Sequence, residues 1–117
     1  PLAMAAGIAV WDRISEAGFL QHVRDVSNAF RQSLEGLKDE FPDLIEEVRG
    51  KGLLIGLKMK VPGDQIEAKR RLLAHKLMVG TAGDNVLRMA PPLIIAETEM
   101  REAMDKLRTV MTEMKTA

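Results

Sequence analysis

Seven apolar residues constrain this chain more than any other feature. Phe19, Val23, Val26, Phe30, Leu34, Leu37 and Phe41 follow one another at spacings of 4, 3, 4, 4, 3 and 4. That alternation tracks the 3.6-residue period of an α-helix, so it predicts one long helix with a single apolar stripe. Pro42, which lacks the amide hydrogen a helix interior needs, stops it. The opposite face carries Arg24, Asp25, Arg31, Gln32, Lys38 and Asp39 and reads as solvated. Such a helix gains most of its stability by burying its stripe, so the rest of the chain must supply a covering layer.

The period changes after Pro42. Ile45-Glu46-Glu47-Val48-Arg49 and Leu53 to Met59 read as strands divided by Gly50-Lys51-Gly52, a hairpin or a sharply bent strand. Pro62-Gly63 is a turn. Asp64, with Glu67 three residues later, has the spacing of a capping box and opens a helix to about Lys76. Leu77-Met78-Val79 reads as a short strand, Gly80 to Asn85 as a loop, and Val86 to Ala90 as a strand ended by Pro91-Pro92. A last helix is expected from about Thr98 to Lys115, where Met100, Met104, Leu107, Met111 and Met114 recur at 4, 3, 4 and 3. Leu2 to about Ala17 is helical, apolar around much of its circumference, and ends at Gly18. The order ααββαββα predicts an α+β domain, a small and mostly antiparallel sheet covered by helices.

Composition excludes several functions. Seventeen basic and 17 acidic side chains cancel, which removes the electrostatic basis for nucleic acid or an anionic membrane as main partner. No apolar run approaches the length of a membrane span. Cysteine is absent, so disulfides, thiolate metal sites and a cysteine nucleophile are all excluded. With no Tyr, one Trp and three Phe, the core must be aliphatic side chains and eight Met. A chain of 117 residues suits one core. It opens Pro1-Leu2-Ala3 with its first Met at position 4, the start expected of a fragment of a longer protein.

Few residues are candidates for chemistry. His22 and His75 lack the companions that mark a triad or a metal site, and read as surface or boundary residues. Lys69-Arg70-Arg71 reads as a solvated helix face. Gly50-Lys51-Gly52-Leu53-Leu54-Ile55-Gly56 has the wrong spacing for a phosphate-binding fingerprint and precedes a strand where that fingerprint needs a helix. Arg88 stands apart, in an otherwise apolar strand. Alternation puts it on the face opposite Leu87 and Met89. There a guanidinium must either pair with a protein carboxylate or hold the carboxylate of a ligand in its planar fork.

Three segments carry a family resemblance over nearly the whole chain. Pro1-Leu2-Ala3 before an Ala-rich helix resembles the segment after the G-N-P-L-A motif of class III (ornithine/acetylornithine-type) aminotransferases. Val48 to Leu57 is similar to their R-G-x-G-L-x-x-G segment. Gly80 to Arg88 with Pro91-Pro92-Leu93-Ile94-Ile95 is similar to their G-x-N-x-x-R-x-x-P-P-L-x-I segment. The resemblance implies the C-terminal domain of a fold type I enzyme that uses pyridoxal 5′-phosphate (PLP). It implies a cytoplasmic homodimer that moves an amino group from an ornithine-type donor to 2-oxoglutarate. Residues 1–17 would be a helix linking to a large domain, and 18–117 the small domain. Arg88 matches the family's arginine for the substrate α-carboxylate. The Schiff-base lysine, the acid facing the pyridine nitrogen and the phosphate-binding residues lie upstream of this segment in the family. No catalytic, cofactor-binding or metal residue is therefore expected here, and the segment alone would be inactive. Lys58 departs from the acidic or apolar residue many members carry there. A non-catalytic folding or dimerisation domain with Arg88 in an internal ion pair is the alternative.

Overall fold

The computed structural model describes residues 1–117, which fold as four helices and four strands. The long stripe forms α2 (Phe19–Glu40), with Phe41 as its C-cap. Helix α1 (Leu2–Ile14) precedes it, α3 (Asp64–Ala74) comes after the first hairpin, and α4 (Glu97–Thr116) closes the chain. The strands are β1 (Ile45–Lys51), β2 (Leu54–Met59), β3 (Gly80–Ala82) and β4 (Val86–Met89). All neighbours are antiparallel, in the order β1-β2-β4-β3.

The helices cover one face only. Helix α2 packs on β1, α3 packs on β2, β4 and β3, and α4 bridges α2 and α3. Between them lies one apolar cluster, with Leu34, Leu37, Leu57, Leu72, Leu87 and Leu107 all fully buried. In β2 and β4 it is Ile55, Leu57, Met59, Leu87 and Met89 that enter this core, every second residue as the pleat dictates. The α4 stripe of Met100, Met104, Leu107 and Met111 is buried there as its spacing predicts. The other face of the sheet has no helix on it.

Four local expectations are corrected. Leu77-Met78-Val79 is not a strand. The third strand is Gly80–Ala82, inside the stretch the sequence marks as loop, because a three-residue turn at Gly83-Asp84-Asn85 folds it back on β4. Asp84 and Asn85 both take positive φ there (66° and 61°), a conformation their short polar side chains tolerate. The Asp64/Glu67 box does not form: Gly63 is the N-cap, Gln65 Oε1 accepts its amide, and Glu67 is drawn to arginines. Helix α1 ends at Ile14, three residues earlier than expected, and none of its residues is buried. Arg31 is not merely solvated, since its Nη1 and Nη2 donate to the carbonyls of Gly50 (2.8 Å) and Val48 (3.1 Å) on the outer edge of β1.

The β1–β2 turn depends on glycine. Gly50 has φ +117°, and a Cβ placed on it would stand 2.1 Å from the Leu54 carbonyl oxygen. Gly52, with φ +56°, opens the two-residue turn Gly52-Leu53, a left-handed position of the kind that matches the twist of a tight hairpin.

Candidate carboxylate-binding site

Sheet register assembles the site on the open face. Arg49 of β1 lies opposite Gly56 of β2, Gly56 opposite Arg88 of β4, and Arg88 opposite Gly80 of β3. Directly paired residues put their side chains on the same face. Across this row only two side chains rise, Arg49 and Arg88. Both flanks of Arg88 are bare. Val86 takes up part of the space over Gly56, where a Cβ would come within 2.6 Å of its Cγ1. That packing explains why Val86 is 6% exposed on a face without helices. The Arg88 guanidinium lies over Gly80, 3.4 Å from where a Cβ would stand.

The charges nearest Arg88 on this face neutralise one another, while Lys51, at the turn end of β1, pairs with no acid. Lys58 Nζ is 2.9 Å from Asp84 Oδ2 and 3.4 Å from Glu46. Arg49 Nη2 is 2.7 Å from Glu47 Oε2, and its Nη1 is 3.5 Å from Asp84. The hydrogen bond from Lys58 holds the Asp84 carboxyl below the usual carboxylate range, and the same bond raises the Lys58 amine. Glu47, through its hydrogen bond, raises Arg49. Arg88 belongs to none of these pairs and is exposed. Within this chain the internal ion pair considered for Arg88 is therefore not made. The acids that strand pairing brings to its face are occupied by Lys58 and Arg49.

The other residues singled out in the sequence have structural partners. His22 Nε2 donates to the Ile95 carbonyl at 3.1 Å, tying α2 to the segment before α4. His75 Nε2 meets Glu113 at 2.8 Å and joins α3 to α4. In the basic run, Arg70 reaches Glu67 through Nε and Nη2 (3.0 and 2.7 Å), and Arg71 Nε reaches it at 2.6 Å. These hydrogen bonds, Arg70's first, bring the Glu67 carboxyl down to about 2. An apolar cavity of about 360 Å³ lies away from Arg88 among core-face side chains including Val26, Phe30, Met89 and Met100.

Sequence reasoning placed Arg88 on the right face but missed its glycine flanks and the Asp84–Lys58–Arg49 group. Both arise from strand pairings that local sequence does not encode; the only available signal was glycine inside each motif segment.

The family described as aminotransferase class-III matches residues 1–111. The chain belongs to the class-III aminotransferases. Among its relatives are acetylornithine aminotransferases of Agrobacterium fabrum, 50% identical over 92% of this chain, and Brucella melitensis, 42% identical over all of it. It spans 26% and 28% of their lengths, about a quarter. The crystal structure of N-acetylornithine aminotransferase from Stenotrophomonas maltophilia K279a is similar over 99% of this chain and 32% of that one, with a TM-score of 0.91 at 26% identity. The acetylornithine aminotransferase of Elizabethkingia anophelis gives 0.89 at 28%, over 97% of this chain and 29% of that one. The α+β fold expected from the sequence is the one these aminotransferase structures carry. No helix here is long and apolar enough to cross a membrane.

Proposed function

We propose that this chain is the C-terminal small domain of an aminotransferase that transfers an amino group from N-acetylornithine, or a related ornithine-type donor, to 2-oxoglutarate. Arg88 is its contribution to the substrate site, a guanidinium that holds a substrate carboxylate. One observation carries this reading. Arg88 is the central cation of the open sheet face and has no acid, with glycine on both sides of it; the other cation of that face without an acid, Lys51, stands at the far end of β1. A planar fork left unpaired over bare backbone is suited to bidentate capture of a carboxylate.

The family works with PLP, which supplies the electron sink for transamination. The residues present here do not fit as its holder. Lys58, on Arg88's face, is bound to Asp84, Lys51 stands at the turn end of β1 two strands from Arg88, and Lys106, at the rim of the apolar cavity, is 3.1 Å from Glu102. The cofactor and its lysine belong to the rest of the protein, so the chain by itself does not transaminate. Residues 1–17 are the link towards that part. In support, α1 exposes Leu2, Met4, Ile8, Val10 and Trp11, a surface that needs a partner. A homodimer in the cytoplasm completes the proposal.

The test is steady-state kinetics of Arg88→Lys in the full-length protein. Replacing the fork by a point charge gives up about one charge-assisted hydrogen bond, ~1.5–3 kcal/mol or a rise in KM of roughly 10- to 100-fold for donor and acceptor. Unchanged KM values for both would reject the role.

A further inference from the structure

The position of the Arg88 guanidinium is set by the residue opposite it. A Cβ on Gly80 would stand 3.4 Å from Nε, 3.4 Å from Nη2 and 3.8 Å from Cζ. A guanidinium is planar and rigid. A point stacked over its Nε–Nη2 side would be about as near to Cζ as to the two nitrogens. A point equidistant from both nitrogens and farther from Cζ lies beyond the edge that they share. The Nε/Nη2 edge is therefore turned down onto β3, and the Nη1/Nη2 end is the pair of donors left facing outward.

We propose that Gly80 is a positioning residue for Arg88. Its missing side chain lets the guanidinium lie across β3 and present its Nη1/Nη2 end to a ligand carboxylate. The proposal rests on the reading of Arg88 as the carboxylate ligand and adds which edge binds and what fixes it. Gly80 and Arg88 are a directly opposed pair, so a side chain at 80 rises on the same face. The backbone of Gly80 lies outside the left-handed region, so any residue can adopt it. An alanine methyl group would meet the guanidinium at ordinary contact distance. A leucine would fill the space in which the guanidinium rests and lift it off β3. Because glycine in a strand interior weakens the strand, neither change is expected to lower stability. Binding and stability then move in different directions, which a merely structural role for Gly80 does not produce.

The experiment uses the full-length PLP-loaded protein, titrated calorimetrically with glutarate, an unreactive dicarboxylate, and followed in parallel by thermal unfolding. Gly80→Ala should bind within about twofold of the unsubstituted protein. Gly80→Leu should bind roughly tenfold more weakly, the worth of about one charge-assisted hydrogen bond, at equal or higher melting temperature. Should the leucine variant not fold, Gly80→Val carries the same test. Arg88→Ala is measured alongside. Unaltered glutarate binding in Arg88→Ala would sink the carboxylate role itself. Weak binding in Arg88→Ala together with normal binding in Gly80→Leu would overturn only the positioning by Gly80, as would equal losses in the alanine and leucine variants.

Discussion

The hairpin between β1 and β2 holds Gly56 opposite Arg88, and its geometry predicts a large difference between two neighbouring glycines. Consider Gly50→Ala and Gly52→Ala. At Gly52 an added Cβ meets nothing within 4 Å, so the cost is that of a left-handed alanine, about 1–2 kcal/mol. The lower conformational freedom of alanine in the unfolded chain returns about 0.4–1 kcal/mol, leaving roughly 1 kcal/mol of net loss. At Gly50 the φ of +117° is open to glycine but not to alanine, a strain of ~1–3 kcal/mol. The Cβ would also stand 2.1 Å from the Leu54 carbonyl oxygen. Backbone cannot rotate away as a side chain can, so strands β1 and β2 must part locally and surrender ladder hydrogen bonds worth about 1 kcal/mol each. The sum is about 3 kcal/mol or more, a large part of the roughly 5–15 kcal/mol that stabilises an ordinary domain. Urea denaturation of the 117-residue chain, followed by far-ultraviolet circular dichroism, reads both variants at once. Equal shifts in midpoint for the two would refute the steric reasoning, and so would a Gly50→Ala loss below about 1 kcal/mol.

The same structure predicts further outcomes. Gly56→Ala forces the Val86 methyl group away from a 2.6 Å contact and should cost about 1–3 kcal/mol, while the double variant with Val86→Ala should recover part of that loss. Strictly additive losses in that cycle would refute the packing of Val86 over Gly56. The Glu67 carboxyl sits below its unfolded value, at about 2, so its contribution is fully present above about pH 4.5 and is lost as pH falls towards 2. In Glu67→Gln the denaturation midpoint should therefore fall less steeply across that window, and an unchanged slope would count against the pairing with Arg70 and Arg71. The exposed face of α1 should make the chain self-associate, with Trp11 (66% exposed) reporting by a blue-shifted emission as concentration rises. Sedimentation as a monomer at all concentrations would contradict this.

What could be read from the sequence depended on how local the determinant was. The α2 and α4 stripes were legible because a helix writes its buried face into consecutive turns, and Pro42 marks the end of α2 within two residues. The β1–β2 hairpin was legible from its glycines. Strand β3 was not, because apolarity pointed to Leu77-Met78-Val79 while backbone pairing selected Gly80–Ala82. Val79 is half-buried against the core and Met78 is 84% exposed, so that segment packs without pairing. The Asp64/Glu67 spacing failed for a related reason: two arginines one turn on compete for the carboxylate more strongly than a backbone amide. Arg88 was legible as an oddity in an apolar strand. Its freedom from ion pairs was not, because Lys58, Asp84 and Arg49 meet only once β2 lies between β1 and β4.

The carboxylate role of Arg88 is tested most directly by chemical rescue. In the full-length protein, Arg88→Ala should raise KM for 2-oxoglutarate, the proposed acceptor, by more than about 100-fold, beyond the ~1.5–3 kcal/mol of one charge-assisted hydrogen bond. Methylguanidinium added to the assay should restore part of that loss, and methylammonium, of equal charge but without the planar fork, should restore much less. A KM unchanged in Arg88→Ala, or rescued equally by the two cations, would contradict the assignment.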